Sequence, residues 1–186
     1  MVNIYKPELT NLQQGILNLL FIYPTREFNM LRLSQNLEVS QPAIKKAIPF
    51  LEKKNLIKVI KDKESKRYSI TLNRDNSEVI HLKRSENLKI IYISGLVSFL
   101  FDSLPGSTII LFGSYSFGED IETSDIDIAI VGLKEREKDL SKYEKILRRE
   151  ISLNFYNSFN EIKDTNLRNN LLNGVILSGS VKIWSL

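Results

Sequence analysis

Apolar residues recur with helical spacing through the first fifty positions and with strand spacing directly after them. Residues 9–23 place Leu12, Ile16, Leu19, Leu20 and Tyr23 three and four apart, which predicts a helix capped by Thr10 and ended by Pro24-Thr25. Phe28 and Met30 suit a very short strand. Residues 31–37 read as a second, short helix, with Leu33 and Leu37 four apart and Glu38-Val39 as the turn beyond. A third helix opens at Ser40, with Pro42 in its first turn. Ile44, Ala47, Ile48 and Leu51 fall on one face of it, and Gln41, Lys45, Lys46 and Lys53 fall away from that face. Pro49 lies inside this pattern. A proline there removes a hydrogen bond and costs about 3 kcal/mol, so a bend or an early end is expected.

The period then changes. Residues 56–61 and 67–72 read as two strands, the second alternating with Tyr68, Ile70 and Leu72 on one face, and the polar tip 62–66 lies between them. Residues 73–83 are polar and predict a linker; the lone histidine, His81, sits there and is assigned no role. Residues 85–104 predict one long helix capped by Ser85, with Leu88, Ile91, Tyr92, Leu96, Phe99 and Leu100 as its stripe. Ile93, Val97 and Phe101 leave its outer side apolar too. Core filling is the ordinary use of such residues, and the surplus also fits a homodimer through this helix. Residues 107–112 form an apolar, partly β-branched run that reads as a strand buried on both faces. A charged amphipathic helix at 134–149, a strand at 151–156 with Ile151, Leu153 and Phe155 on one face, a helix at 167–173 closed by Gly174, and strands at 175–177 and 181–184 complete the pattern.

Composition narrows this little: 186 residues with 42% hydrophobic and 26% charged positions are those of a soluble globular protein of one or two domains. There is no cysteine, which excludes disulfides and thiolate zinc sites and suits a cytoplasmic protein. The first nine residues lack the apolar core of a signal peptide, and no segment is long enough to span a membrane, so no membrane partner is expected. The net charge of +4 is unevenly spread. Residues 1–83 hold 14 Lys and Arg against 8 Asp and Glu, whereas residues 84–186 hold 12 against 14. The basic first half points to a polyanion such as nucleic acid, although Lys-rich faces also serve solubility alone.

The chemistry concentrates after the buried run. Gly113 and Ser114 stop the strand. Gly113, without a Cβ, lets backbone approach a ligand closely, and Ser114 offers a hydroxyl and an N–H at a helix start that could meet phosphate. In Asp125-Ile126-Asp127-Ile128-Ala129-Ile130 the side chains alternate, so a strand puts Asp125 and Asp127 on one face and the isoleucines on the other. Two carboxylates so close repel each other, and a divalent cation removes the conflict. Mg²⁺ fits, being held by one or two carboxylates together with substrate phosphates. Alone, a Gly-Ser is usually a turn and an Asp-x-Asp a solvated strand end; their order after a buried strand makes the pair specific.

Gly113-Ser114, Gly118-Glu119 and Ser124-Asp125-x-Asp127 resemble the signature of the minimal nucleotidyltransferases of the DNA polymerase beta superfamily, and the Gly174-Val175-Ile176-Leu177 ending is similar to theirs. The resemblance runs from about residue 104 onward. It implies a small α/β (α+β) domain with a mixed sheet. It further implies nucleotide contacts from Gly113 and Ser114, supporting roles for Gly118, Glu119 and Ser124, and two Mg²⁺ ions on Asp125 and Asp127 for transfer of a nucleotidyl group, with ATP as the expected substrate. One departure matters. Active members usually carry a third carboxylate on the next core strand, and here the matching face presents Ser152 and Asn154, with Glu150 at the strand's edge. Binding could survive while transfer slows, because positioning and electrostatics dominate this chemistry.

The order helix, helix, turn, helix, hairpin over residues 9–75 resembles the winged helix-turn-helix DNA-binding domain of many prokaryotic transcription regulators. It implies that the helix from Ser40 enters the major groove of double-stranded DNA. Gln41, Lys45 and Lys46 would face bases or phosphates, and Lys63, Lys66 and Arg67 in the hairpin would touch backbone or minor groove. Winged helices also serve as protein–protein modules. The expectation is therefore a winged helix-turn-helix over 1–75, a linker and connecting helix over 76–104, and a nucleotidyltransferase domain over 105–186. Two functions compete: an enzyme passing a nucleoside monophosphate to an acceptor, a partner protein among the possibilities, or a catalytically weak nucleotide-sensing transcription regulator. A toxin–antitoxin component is compatible with the resemblance, and no residue demands it.

Overall fold

The computed structural model describes residues 8–62 and 67–181, which divide into two compact units, 1–80 and 81–186. In the first unit, α1 (Asn11–Ile22), α2 (Met30–Asn36) and α3 (Gln41–Lys53) precede an antiparallel hairpin of β1 (Ile57–Lys61) and β2 (Tyr68–Leu72). Each helix starts where the sequence offers a cap. Thr10 and Gln13 form a reciprocal capping box, Asn29 accepts from the Arg32 N–H, and Ser40 accepts from the Ala43 N–H. The short strand expected at Phe28 is a single bridge to Ile70. The unit closes on Ile16, Leu20, Leu33, Ile44, Leu51, Ile57 and Ile70, all fully buried. This order of elements is that of a winged helix.

Pro49 neither bends nor ends α3 early; the helix runs on to Lys53. Pro49 and Lys45 both lie on the exposed face. The Lys45 carbonyl that loses its partner is therefore open to water, which removes most of the penalty.

The expected linker is not one. α4 (Ser77–Ile93) begins eight residues before Ser85, and the division between the units falls inside it. Asn76 serves its start by accepting from the Glu78 N–H, and Ser85 sits mid-helix with its hydroxyl on the His81 carbonyl. The long helix also breaks. Ser94-Gly95 separates α4 from α5 (Leu96–Ser103), with Gly95 at φ +81° and the Ser94 hydroxyl accepting from the Leu96 N–H. Within 77–83 the helix fully buries Val79 and Lys83, and a lysine on the buried face breaks the apolar period that would have marked it.

In the second unit, β3 (Thr108–Phe112), the short α6 (Gly113–Phe117), β4 (Ile126–Val131), α7 (Ser141–Leu147), β5 (Ile151–Tyr156), a 3₁₀ turn (Phe159–Glu161), α8 (Thr165–Leu172) and β6 (Val175–Ser178) follow. Among the described residues the sheet order is β5-β4-β3-β6, with β3 antiparallel to both neighbours and β4 parallel to β5. The sheet is mixed, as expected. Both faces of β3 are covered. Ile109 and Leu111 join Ile126, Ile128, Ile130, Leu96, Leu100 and Tyr143 on one side, and Ile110 and Phe112 join Ala129, Phe159, Ile162 and Leu171 on the other. α7 is much shorter than residues 134–149, because 134–139 offer no buried apolar position. The strand expected at 181–184 falls, apart from Val181, outside the described residues, and Val181 itself is not in a strand.

Candidate functional site

The bend after β3 and the strand that follows it come together. β3 and β4 pair so that Phe112 faces Asp127, which carries Gly113 directly over the Asp127 side chain. Gly113 has φ +71°, and a Cβ there would lie 2.5 Å from Asp127 Oδ2. Glycine is required twice, for the left-handed backbone and for the space the carboxylate takes. Ser114 stands in the first turn of α6, and its carbonyl accepts from the N–H groups of Gly118 and Glu119. Gly118, at φ +78°, ends that turn.

Asp125 lies one residue ahead of β4 and is exposed; Asp127 is within the strand and half-buried. Burial raises the Asp127 carboxyl above its ordinary value, and the charge of Asp125 raises it further. The two acids thus repel through space, as their alternation predicts. Tyr156 on β5 is also raised, by burial and then by the Asp127 charge, so it belongs to the same electrostatic neighbourhood. Ser124 holds the approach to the pair, its hydroxyl accepting from the Ile121 N–H at 3.0 Å. In the parallel pairing, Ser152 is the partner of Asp127 and Asn154 that of Ala129, and Asn154 donates to the Ser152 hydroxyl at 3.3 Å. Hydroxyl and amide, not a carboxylate, flank the acidic pair. A cleft of about 610 Å³ opens beside Asp125, lined among others by Glu122, Ser124, Glu144, Arg148 and Arg149, and Glu150, just ahead of β5, shares it with Asp125.

Among the described residues no three His, Cys, Asp or Glu gather as a self-contained metal site. Asp125 and Asp127 offer hard oxygen ligands and an unrelieved repulsion. That donor set fits Mg²⁺ completed by oxygens of a substrate, not a metal held by protein alone.

Sequence reasoning missed the polar interior behind this site. Asp120 is fully buried between Gly118 and Ser124, and it accepts from Lys83 Nζ, from Asn87 Nδ2 at 2.8 Å, and from an Arg149 guanidinium nitrogen at 3.4 Å. The sequence signal is faint: two polar residues four apart on one helix, and an acid following Gly118-Glu119.

In the N-terminal unit, Gln41, Lys45 and Lys46 are exposed along α3, and Arg67 is exposed at the entry to β2. Lys63 and Lys66 lie outside the described residues. No helix of the described residues is long and apolar enough to cross a membrane.

Residues 106–182 match the family model for the polymerase beta nucleotidyltransferases. No curated protein matches the chain. Similar solved structures are transcription regulators. The adhesin competence repressor AdcR from Streptococcus pyogenes is 23% identical, with 52% of this chain and 68% of that one covered at a TM-score of 0.38. MepR, a transcription regulator of the Staphylococcus aureus multidrug efflux pump MepA, is 19% identical, with 53% and 68% covered at 0.38. ZitR from Lactococcus lactis is 16% identical, with 57% and 72% covered at 0.38.

Proposed function

We propose that the unit whose residues 106–182 match the polymerase beta nucleotidyltransferase family model binds a nucleoside triphosphate with Mg²⁺ and transfers the nucleoside monophosphate to an acceptor hydroxyl, releasing pyrophosphate. The observation that carries the reading is the packing of the Asp127 carboxylate against Gly113 with the Asp125 charge beside it. Gly113 leaves its Cβ space to the Asp127 carboxylate, and Ser114 donates to the triphosphate oxygens from hydroxyl and N–H. Asp125 and Asp127 hold the cations, with Gly118 and Ser124 shaping the bend and the loop between. Bound Mg²⁺ would neutralise phosphate oxygens and the developing charge on the leaving group. The acceptor hydroxyl would sit over the strip of Ser152 and Asn154, whose polar groups orient it without serving as a base. The exposed Gln41, Lys45 and Lys46 of α3, with Arg67, Lys63 and Lys66 of the hairpin, are the proposed contacts to double-stranded DNA.

Incubation with ATP labelled at the α-phosphate and Mg²⁺ tests the enzyme. Label is expected on the protein or on an added partner, falling at least about a hundredfold in Asp125→Asn and Asp127→Asn. Label that survives both substitutions unchanged refutes this site.

A second reading is favoured by Ser152 and Asn154 standing where a carboxylate would complete the acidic group. In it the unit binds nucleotide–Mg²⁺ without turnover and the N-terminal unit responds on DNA. Tight binding of a nonhydrolysable triphosphate, no transfer under any condition, and DNA affinity altered by the nucleotide would select this reading.

A further inference from the structure

We propose that Asn87 and Lys83 of α4 are positioning residues for the nucleotide site, acting through Asp120. The inference rests on the nucleotidyltransferase reading above and names what holds that site in register. Asn87 Nδ2 donates in two directions, to the Tyr115 carbonyl of α6 at 2.9 Å and to Asp120 Oδ1 at 2.8 Å. Tyr115 follows Gly113-Ser114, and Asp120 begins the stretch that leads to Ser124 and Asp125. One side-chain amide therefore fastens both halves of the site, the bend and the carboxylate loop. Its two hydrogens go to two acceptors; aspartate at this position would lose the donors, and serine would keep one.

The loop is pinned again at its far end. Lys83 Nζ donates to Asp120 Oδ1 and to the Asp120 carbonyl, the latter at 3.1 Å. Arg149 reaches Asp120 Oδ2, while the next residue, Glu150, gives its carbonyl to the Ile126 N–H at 2.8 Å. Consecutive residues ahead of β5 thus grip the loop at Asp120 and at Ile126, on either side of Asp125.

A purely stabilising role accounts poorly for this chemistry. Two cations and one anion lie in the interior, where apolar replacements of an ion pair are often neutral or stabilising. What directional bonds to both carboxylate oxygens supply is one position for the loop. Asn87 and Lys83 are buried and line no part of the cleft beside Asp125, so any influence on ligand binding passes through the groups they hold, the Tyr115 carbonyl in the bend and Asp120 with its Arg149 partner.

The test uses the full chain, with Mn²⁺ and a nonhydrolysable ATP analogue as probes, followed by Mn²⁺ electron paramagnetic resonance. In Asn87→Ala the dissociation constant is expected to rise about tenfold or more, while unfolding stays cooperative. Amide hydrogen exchange without ligand is expected to accelerate at residues 119–126 and not in β3. If Asn87→Ala does not fold, Asn87→Ser, whose shorter side chain cannot bridge the two acceptors, is read the same way. Unchanged affinity in a folded variant, or exchange accelerated evenly across the unit, overturns the inference and leaves the function standing. Wild-type protein that does not bind the probe overturns the nucleotidyltransferase reading, and this inference with it.

Discussion

The two units handle charge in opposite ways. In the N-terminal unit the core is apolar, and Gln41, Lys45, Lys46 and Arg67 stand in solvent. In the C-terminal unit Lys83 and Arg149 lie inside, both bonded to Asp120, while Asp127 is half-buried and Asp125 exposed beside the bend. Exposed charge is cheap to keep and easy to exchange, which suits attraction to a polyanion. Buried charge must be fully bonded, and it restricts the chain to the geometry that bonds it. On the functions proposed above, the first arrangement would attract a partner and the second would fix a site.

Several substitutions would break or sharpen that contrast. The largest effect belongs to Lys83→Met, which leaves a buried carboxylate short of a cation; a loss on the order of 3 to 5 kcal/mol is expected by urea unfolding. The same change at the exposed Lys46 should stay within about 0.5 kcal/mol, and equal losses at the two would erase the distinction drawn here.

Gly113→Ala comes next. The new Cβ would meet Asp127 Oδ2 at 2.5 Å on a backbone of positive φ. A stability loss of about 1 to 3 kcal/mol and weaker Mn²⁺ binding are expected together; wild-type metal affinity in this variant would mean that Asp127 has no part in the site.

For the exposed charges the readout is salt. Lys45→Ala/Lys46→Ala should weaken duplex binding regardless of sequence and lower the slope of log affinity against log salt by about two. Fluorescence anisotropy at several ionic strengths measures it, and an unchanged slope takes α3 off the DNA.

The smallest effect is that of pH on Asp127. Its folded carboxyl titrates above the unfolded one, because burial and then Asp125 disfavour the anion. Between those two values the folded state holds more protons, so stability should fall as pH rises through that window. The group is more than half solvated, so the change stays below about 1 kcal/mol. Mn²⁺ affinity should rise over the same window, since metal and proton compete. Asp127→Asn should flatten both trends, and calorimetry across the acid range would show whether it does.

Legibility in the sequence followed the same division. Helix periodicity and the caps at Thr10 and Ser40 place the N-terminal elements within a residue or two, because apolar contact alone decides their faces, whereas the Asn29 cap stands where a short strand was expected. Pro49 was misjudged because its tolerance depends on solvent at the Lys45 carbonyl, which no local pattern records. In the C-terminal unit β3 was readable as a continuous apolar run and β4 from the alternation around Asp127, and the joining of bend and acid followed from the β3–β4 pairing. The start of α4 was not readable. A buried lysine looks like a surface one until its carboxylate is seen, and Asp120 lies 37 positions further along the chain.

The sheet order also bears on how the chain is made. β3 occupies an interior place between β4 and β6, yet β6 is formed by residues 175–178, almost the last described. During synthesis β3 can pair with β4 early, but its other edge stays open until residues 175–178 have emerged, and an open apolar edge invites pairing with another chain. Translation that stops short of Val175 should therefore yield an aggregating product rather than a smaller folded unit.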